Sequence, residues 1–201
     1  MSHARCRGVP FGTAATRGFL YTEPVSPGCH DALTAFRDTL VADDLFAAIR
    51  GLNDTTDYRF TGIYLLDGSW VKSVLLFDRA SPNVQIGHDI LWDESYCSIT
   101  AADGTACEIT NSLTDPRLAA HAARQAVQCH CGVLLRAPDG HALGTLCHFD
   151  VQARETPAGA LETLKALRVL VERLLWERVT RTGNAGRRVS KREQLGFSRA
   201  T

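Results

Sequence analysis

Apolar residues recur along this chain at two spacings, about every second position in some stretches and every third or fourth in others. The stretch 131–150, CGVLLRAPDGHALGTLCHFD, holds two apolar runs of strand length on either side of Pro138-Asp139-Gly140. Asp-Gly is a favoured pair for a two-residue hairpin loop, because glycine takes a positive φ without strain and Asp tolerates one. The pattern predicts antiparallel strands over Cys131–Ala137 and His141–Asp150, in the middle of a sheet. Residues 59–67 and 70–78 are aromatic and β-branched runs around Asp67-Gly68-Ser69, a second hairpin of the same kind. Residues 31–52 instead space Leu33, Phe36, Leu40, Val41, Leu45, Ile49 and Leu52 mostly three or four apart. That is one face of a helix, with Asp31 as its N-cap and Asn53 as its stop.

Residues 79–106 show no sustained period; Ser81-Pro82-Asn83 is a turn, and residues 92–98 read as a short helix or tight loop. Cys107 to Thr110 reads as a short strand. Asp115-Pro116 is a helix start, followed by an alanine-rich helix through Leu118, Ala122 and Ala126 to about Gln128. By the same capping logic Thr156-Pro157 starts the last helix, whose Leu164, Leu167, Val171 and Leu174 form a heptad-like seam of under three heptads. Gly183 and Gly186 are expected to end it. Two hairpins with helices between and around them predict an α+β fold with an antiparallel sheet.

The chain has 201 residues, 45% hydrophobic and 22% charged, with a formal net charge of zero. The charge is unevenly placed. Residues 29–177 hold twelve Lys/Arg against twenty Asp/Glu, whereas residues 178–201 hold seven against one. An acidic body argues against nucleic acid binding by the folded part. The Arg187–Arg192 run is read as a solvated tail. The expected organisation is a disordered segment over 1–28, one domain over 29–180 and a basic disordered tail over 181–201. Seven cysteines, an odd number, do not make the framework of a small secreted domain. Without a signal peptide or an apolar run of membrane-spanning length, the expectation is a cytoplasmic protein with free thiols and no membrane partner.

The order helix, hairpin, Trp92-x-Glu94-Ser95-x-Cys97, Asp115-Pro116-Arg117, Gly132-Val133-Leu134-Leu135, Asp139-Gly140, Gly144-Thr145-Leu146-Cys147-x-Phe149-Asp150 and a long helix resembles bacterial GAF domains, over about residues 31–178. The resemblance implies a GAF/PAS-like central antiparallel sheet, helices on one face and a loop-covered small-molecule pocket on the other. It also implies a sensory or regulatory role, as a homodimer through the terminal helices. The chain departs from the family where cyclic-nucleotide-binding members carry their Asn-Lys-x-Phe/Asp-Glu signature. Its Cys129-His130 pair lies too close to Gly132-Val133 to match a bilin-attaching site. No cofactor is identified. No output module follows, so the signal is expected to pass to a separate output protein or across a dimer.

Three chemistries compete. The first is small-molecule binding. Phe60, Tyr64, Phe77, Trp92, Tyr96 and Cys97, with Ser98, Arg117, His121, Thr145 and Cys147, would form an apolar cavity with a few polar tips. A ligand under residues 92–98 would order that lid and move the terminal helices. The second is metal binding by Cys129, Cys131 and His148. If hairpin partners sum to 279, these three share one face and His130 and Cys147 share the other; if they sum to 278, thiols and imidazoles separate. Neither register converges four ligands, and buried cysteines also serve as small hydrophobes. The third is a thiol enzyme like the GAF-type free methionine sulfoxide reductases, because Cys97 and Cys107 stand ten apart. The Gly-x-x-Cys-Gly context of that branch is missing here, so a binding module is preferred to an enzyme.

Overall fold

β1 (Phe60–Asp67) and β2 (Trp70–Asp78) are joined by the two-residue loop Gly68-Ser69, with Gly68 at φ +60°. Behind them, β5 (Cys129–Arg136) and β6 (Ala142–Asp150) form the second hairpin. β1 pairs with β6, so the two hairpins lie side by side. β3 (Ile90–Leu91) and β4 (Ala106–Ile109) add an edge each, giving the antiparallel order β3-β2-β1-β6-β5-β4. This is the structure of the chain as a computed structural model, which describes residues 27–41 and 44–196. Side chains are described within 29–40 and 44–181. Most of the predicted 1–28 segment and residues 197–201 therefore lie outside the described residues.

The β5–β6 loop has the three residues Pro138-Asp139-Gly140, as the strand limits Ala137 and His141 imply, rather than the two that Asp139-Gly140 alone would make. Ala137 N–H donates to the His141 carbonyl and Gly140 N–H to the Ala137 carbonyl, with Gly140 at φ +88°. Pro138 has no N–H to complete the pair with His141 that a two-residue Asp139-Gly140 loop needs, so the closing pair moves out to Ala137 and His141. The register shift this causes is confined to the Leu135/Arg136 step. From Cys129 to Leu135 the partners sum to 279, as in Cys131↔His148 and Gly132↔Cys147.

The predicted first helix is two, α1 (Pro27–Val41) and α2 (Leu45–Asp54). Asp44 starts the second, its carboxylate accepting from the Ala47 N–H at 2.9 Å. An N-cap residue has a non-helical backbone, so Asp44 cannot continue a helix arriving from α1. Asn53 belongs to α2 rather than stopping it. Fully buried, its amide donates to the Tyr58 carbonyl at 3.0 Å and to Thr61 Oγ1 at 2.8 Å.

The last helix, α4 (Ala160–Gly196), begins later than Thr156-Pro157 because Gly159 sits at φ +81°. Thr156 instead meets the Tyr58 hydroxyl. Gly183 and Gly186 do not end α4, so the backbone of the expected tail is helical to Gly196. Each interior glycine weakens a helix by about 1 kcal/mol without breaking it. Leu164, Leu167, Val171 and Leu175 are the buried stripe, whereas Leu174 is only half-buried. The stripe follows 3.6 residues per turn, which suits a straight helix lying on a sheet better than the 3.5 of a coiled coil. Phe36, Ile49 and Leu52 join this stripe over Ile63, Leu75, Val133, Leu135 and Leu146 to form the core on one sheet face. Each such side chain contributes about 1.5–3 kcal/mol on burial.

Candidate functional site

The opposite sheet face is covered by a 3-10 turn at Trp92–Glu94, by α3 (Tyr96–Ala102), and by 3-10 turns at Pro116–Leu118 and Ala122–Gln125. The last two stand where a single alanine-rich helix is expected. Asp115 caps the first turn, accepting from the Arg117 N–H, and His121 caps the second, accepting from the Ala123 N–H. Only Leu118 in this stretch is large, apolar and fully buried. A helix here would have little to bury, and short capped turns replace it.

α3 is positioned by Ser95, whose Oγ accepts from the Cys97 N–H at 3.1 Å. Tyr96 then reaches across and donates its hydroxyl to the Val127 carbonyl at 2.9 Å, tying α3 to the 122–127 wall. Below, strand alternation points Tyr64, His130, Cys147 and Phe149 at the lid. Between lid and sheet lies a cavity of about 60 Å³, lined by Tyr64, Ile90, Glu94, Ser95, Tyr96, Cys97, Ala123, Val127, His130, Cys147 and Phe149.

His130 is the polar group inside this apolar space. It is 3% exposed, and neither ring nitrogen has a hydrogen-bond partner. Its ring meets the Tyr96 ring edge-on at 5.8 Å. Burial pulls its pKa down to about 4, so the imidazole is neutral at pH 7. A buried donor or acceptor left unpaired costs about 1–3 kcal/mol. The Cys97 and Cys147 thiols are both fully enclosed, and burial raises their pKa, which keeps them protonated. Cys97 Sγ lies 2.9 Å from Thr145 Oγ1.

Of the residues expected to bind ligand, Tyr64, Tyr96, Cys97 and Cys147 line the cavity. Thr145 lies just behind it, on Cys97. Trp92 packs against the cluster formed by Tyr64, Val71, Cys97 and Cys147, and the crevice it shares with Tyr64, Val71 and Cys97 holds no room for a water molecule. The space is therefore under Tyr96 rather than under Trp92. Phe60 stacks on Phe149 at 4.7 Å and lies outside the lining. Ser98 Oγ donates to the Ser95 carbonyl. His121 packs on Tyr96 from outside, at 4.9 Å between rings. Phe77 pairs with Thr61 and projects to the helix face, where it meets Phe46. It has the parity opposite to Tyr64, because a bulge at Ile63/Tyr64 shifts the β2 register. Arg117 is exposed and committed to Asp115, Asp103 and the Glu108 carbonyl.

Cys129, Cys131 and His148 do share one face, the helix face, but they do not converge. Cys129 Sγ donates to the Gln152 carbonyl, and His148 Nδ1 lies 2.7 Å from Thr61 Oγ1 with its ring stacked on Tyr58. Burial pushes both thiols up to about 12 and His148 down to about 3. Among the described residues no three His, Cys, Asp or Glu side chains are grouped to hold a metal.

The cavity residues that the ligand-site expectation omits are chiefly His130 and Phe149. Their signal is parity: in the observed register both fall on the Cys147 face.

No family model matches the sequence, and no curated protein does. Solved structures do. The GAF domain of an Acinetobacter phosphoenolpyruvate-protein phosphotransferase superposes with a TM-score of 0.61 at 15% identity, over 77% of this chain and 96% of that one. The free methionine-R-sulfoxide reductase of Neisseria meningitidis, in complex with its substrate, gives 0.57 at 17%, over 78% and 95%. The chromophore-binding domain of Stigmatella aurantiaca phytochrome P1 gives 0.53 at 16%, over 81% and 63%. The chain has the GAF fold. Among the described residues no helix is long and apolar enough to cross a membrane.

Proposed function

We propose that this chain is a small-molecule-binding sensory domain that acts in the cytoplasm as a homodimer, or through a separate output protein. The observation that carries the reading is the cavity under Tyr96. It lies under a short lid and contains a buried imidazole with both nitrogens unpaired. A concave apolar space with few polar groups is what ligand sites use for affinity and orientation. The lid is built from short elements, an uncapped turn at Trp92–Glu94 and α3 with its Ser95 cap, whereas β5 and β6 below are paired from Cys129 to Leu135 without a break. A ligand that touches both would shift the lid population, and α4, packed on β5 from the other face, would carry the change. Native mass spectrometry of the purified full-length chain tests this reading. A dimer that retains or takes up a ligand is expected; a ligand-free monomer with no thermal shift against a metabolite panel overturns it.

The likeness to a free methionine-R-sulfoxide reductase makes a thiol enzyme the second reading. A thiol nucleophile works as its thiolate. Here burial raises Cys97 and holds Cys107 up at about 12. We expect no turnover of free methionine sulfoxide; turnover lost on Cys97→Ser would establish the enzyme instead.

A further inference from the structure

We propose that the cavity under Tyr96 binds a small uncharged hydroxyl compound, a short aliphatic alcohol, by hydrogen bonding to the His130 imidazole. The assignment rests on the ligand-binding reading above and names the chemistry of the ligand.

The ring is held in place without polar contacts. A Cβ on Gly132 would lie 2.5 Å from His130 Cε1 and 3.1 Å from Nε2, so the imidazole occupies the space a side chain would take. Tyr96 closes on it edge-first from above, and Cys147 and Phe149 flank it in the lining. Fixed in this way, and with neither nitrogen bonded to protein, the ring has its hydrogen-bonding capacity free for a ligand.

A neutral imidazole offers one N–H and one lone pair. A hydroxyl group answers either one, because it donates and accepts through a single atom. Charge is excluded by the surroundings: Glu94 is the only residue of the lining that carries a formal charge at neutral pH, and it is exposed at the mouth. A carboxylate inside would be desolvated with no counter-ion, and an ammonium would find only Glu94, which is exposed to water. The volume, about 60 Å³, limits the occupant to a compact molecule. That is less than half of the about 150 Å³ that accepts a benzene ring, so the occupant is aliphatic.

The test uses the full-length chain with its histidine rings labelled with ¹⁵N, titrated with ethanol, 1-propanol, chloroethane, acetate and ethylamine. A saturable shift of one His130 ring nitrogen by ethanol or 1-propanol is expected, with none from chloroethane, acetate or ethylamine. His130→Phe keeps an aromatic ring and removes both nitrogens, and is expected to weaken the hydroxyl probe at least tenfold. Gly132→Ala displaces the ring and is expected to do the same, so a folding defect in one variant leaves the other. Equal binding by these variants overturns the proposal, as does a preference for a charged probe. If His130 ignores both hydroxyl probes while native mass spectrometry finds a co-purified ligand of another class, this assignment falls and the sensory reading stands. If neither probe nor co-purified ligand binds, both fall.

Discussion

At the residue scale, the chain separates glycines that are needed from one that is not. A Cβ on Gly144 would lie 1.9 Å from the Tyr64 carbonyl oxygen, a backbone atom that cannot step aside without breaking the β1–β6 pairing. Gly144→Ala is expected to destabilise by about 3 kcal/mol or more in urea unfolding, within the range of severe core substitutions. Gly51 lies inside α2, exposed, with nothing within 4 Å of its would-be Cβ. Gly51→Ala is expected to stabilise by about 0.5–1 kcal/mol. The buried histidines set the acid behaviour. His130 and His148 are held neutral by burial, with folded pKa values of about 4 and about 3 against 6.5 for a free ring. Below pH 6.5 the unfolded chain therefore binds more protons than the folded one. Stability from these two groups is complete above that pH and is lost progressively as pH falls towards 4 and 3. Each contributes a slope of about 1.4 kcal/mol per pH unit within its window. His130→Phe is expected to remove one proton's share of that slope, measured from unfolding midpoints between pH 4 and 6.5. Cavity membership at this scale was half legible. Alternation places Tyr64, Cys147, His130 and Phe149 once the register is known, but Phe77 is misplaced by a bulge that no residue pattern announces.

At the scale of elements, local signals worked where a single turn or cap decides the outcome. Asp67-Gly68 and Asp139-Gly140 mark the two hairpins, and Asp115-Pro116 marks a helical start. They failed where length depends on what an element can bury. Residues 31–52 carry one helical period yet divide at Asp44, and the alanine-rich stretch breaks into two short turns. The lid depends on its caps in the same way. Ser95→Ala removes the hydroxyl that accepts from the Cys97 N–H and is expected to weaken α3 by about 1 kcal/mol. Tyr96→Phe unties α3 from the Val127 carbonyl, at a cost of about 1 kcal/mol. Hydrogen exchange over residues 79–106 should accelerate in both variants and slow when ligand binds. Equal protection with and without ligand would remove the lid from the mechanism.

At the scale of the whole molecule, one sheet carries two faces with different work. The helix face is filled by α1, α2 and α4, and a hydrogen-bonded chain runs on it from Arg79 through Asn53 and Thr61 to His148 Nδ1, leaving only the Nε2 side of that ring without a partner. The other face is left with a short lid, a cavity and an imidazole without a partner. Leu175 is the last buried residue of α4 among the described side chains, and Val169 is 66% exposed on it. If α4 is the dimer contact, Val169→Glu is expected to shift the sedimentation equilibrium towards monomer while leaving the cavity intact. The amino-acid order alone determined the hairpins, the α+β class and the alternation that divides each strand between two faces, because turn residues and period-two patterns act over a few neighbouring residues. Only the tertiary structure decided which register the hairpin took, where the helices broke and that the space lies under Tyr96 rather than Trp92. Those outcomes depend on how distant side chains fill a shared volume, and no local stretch of sequence contains that balance.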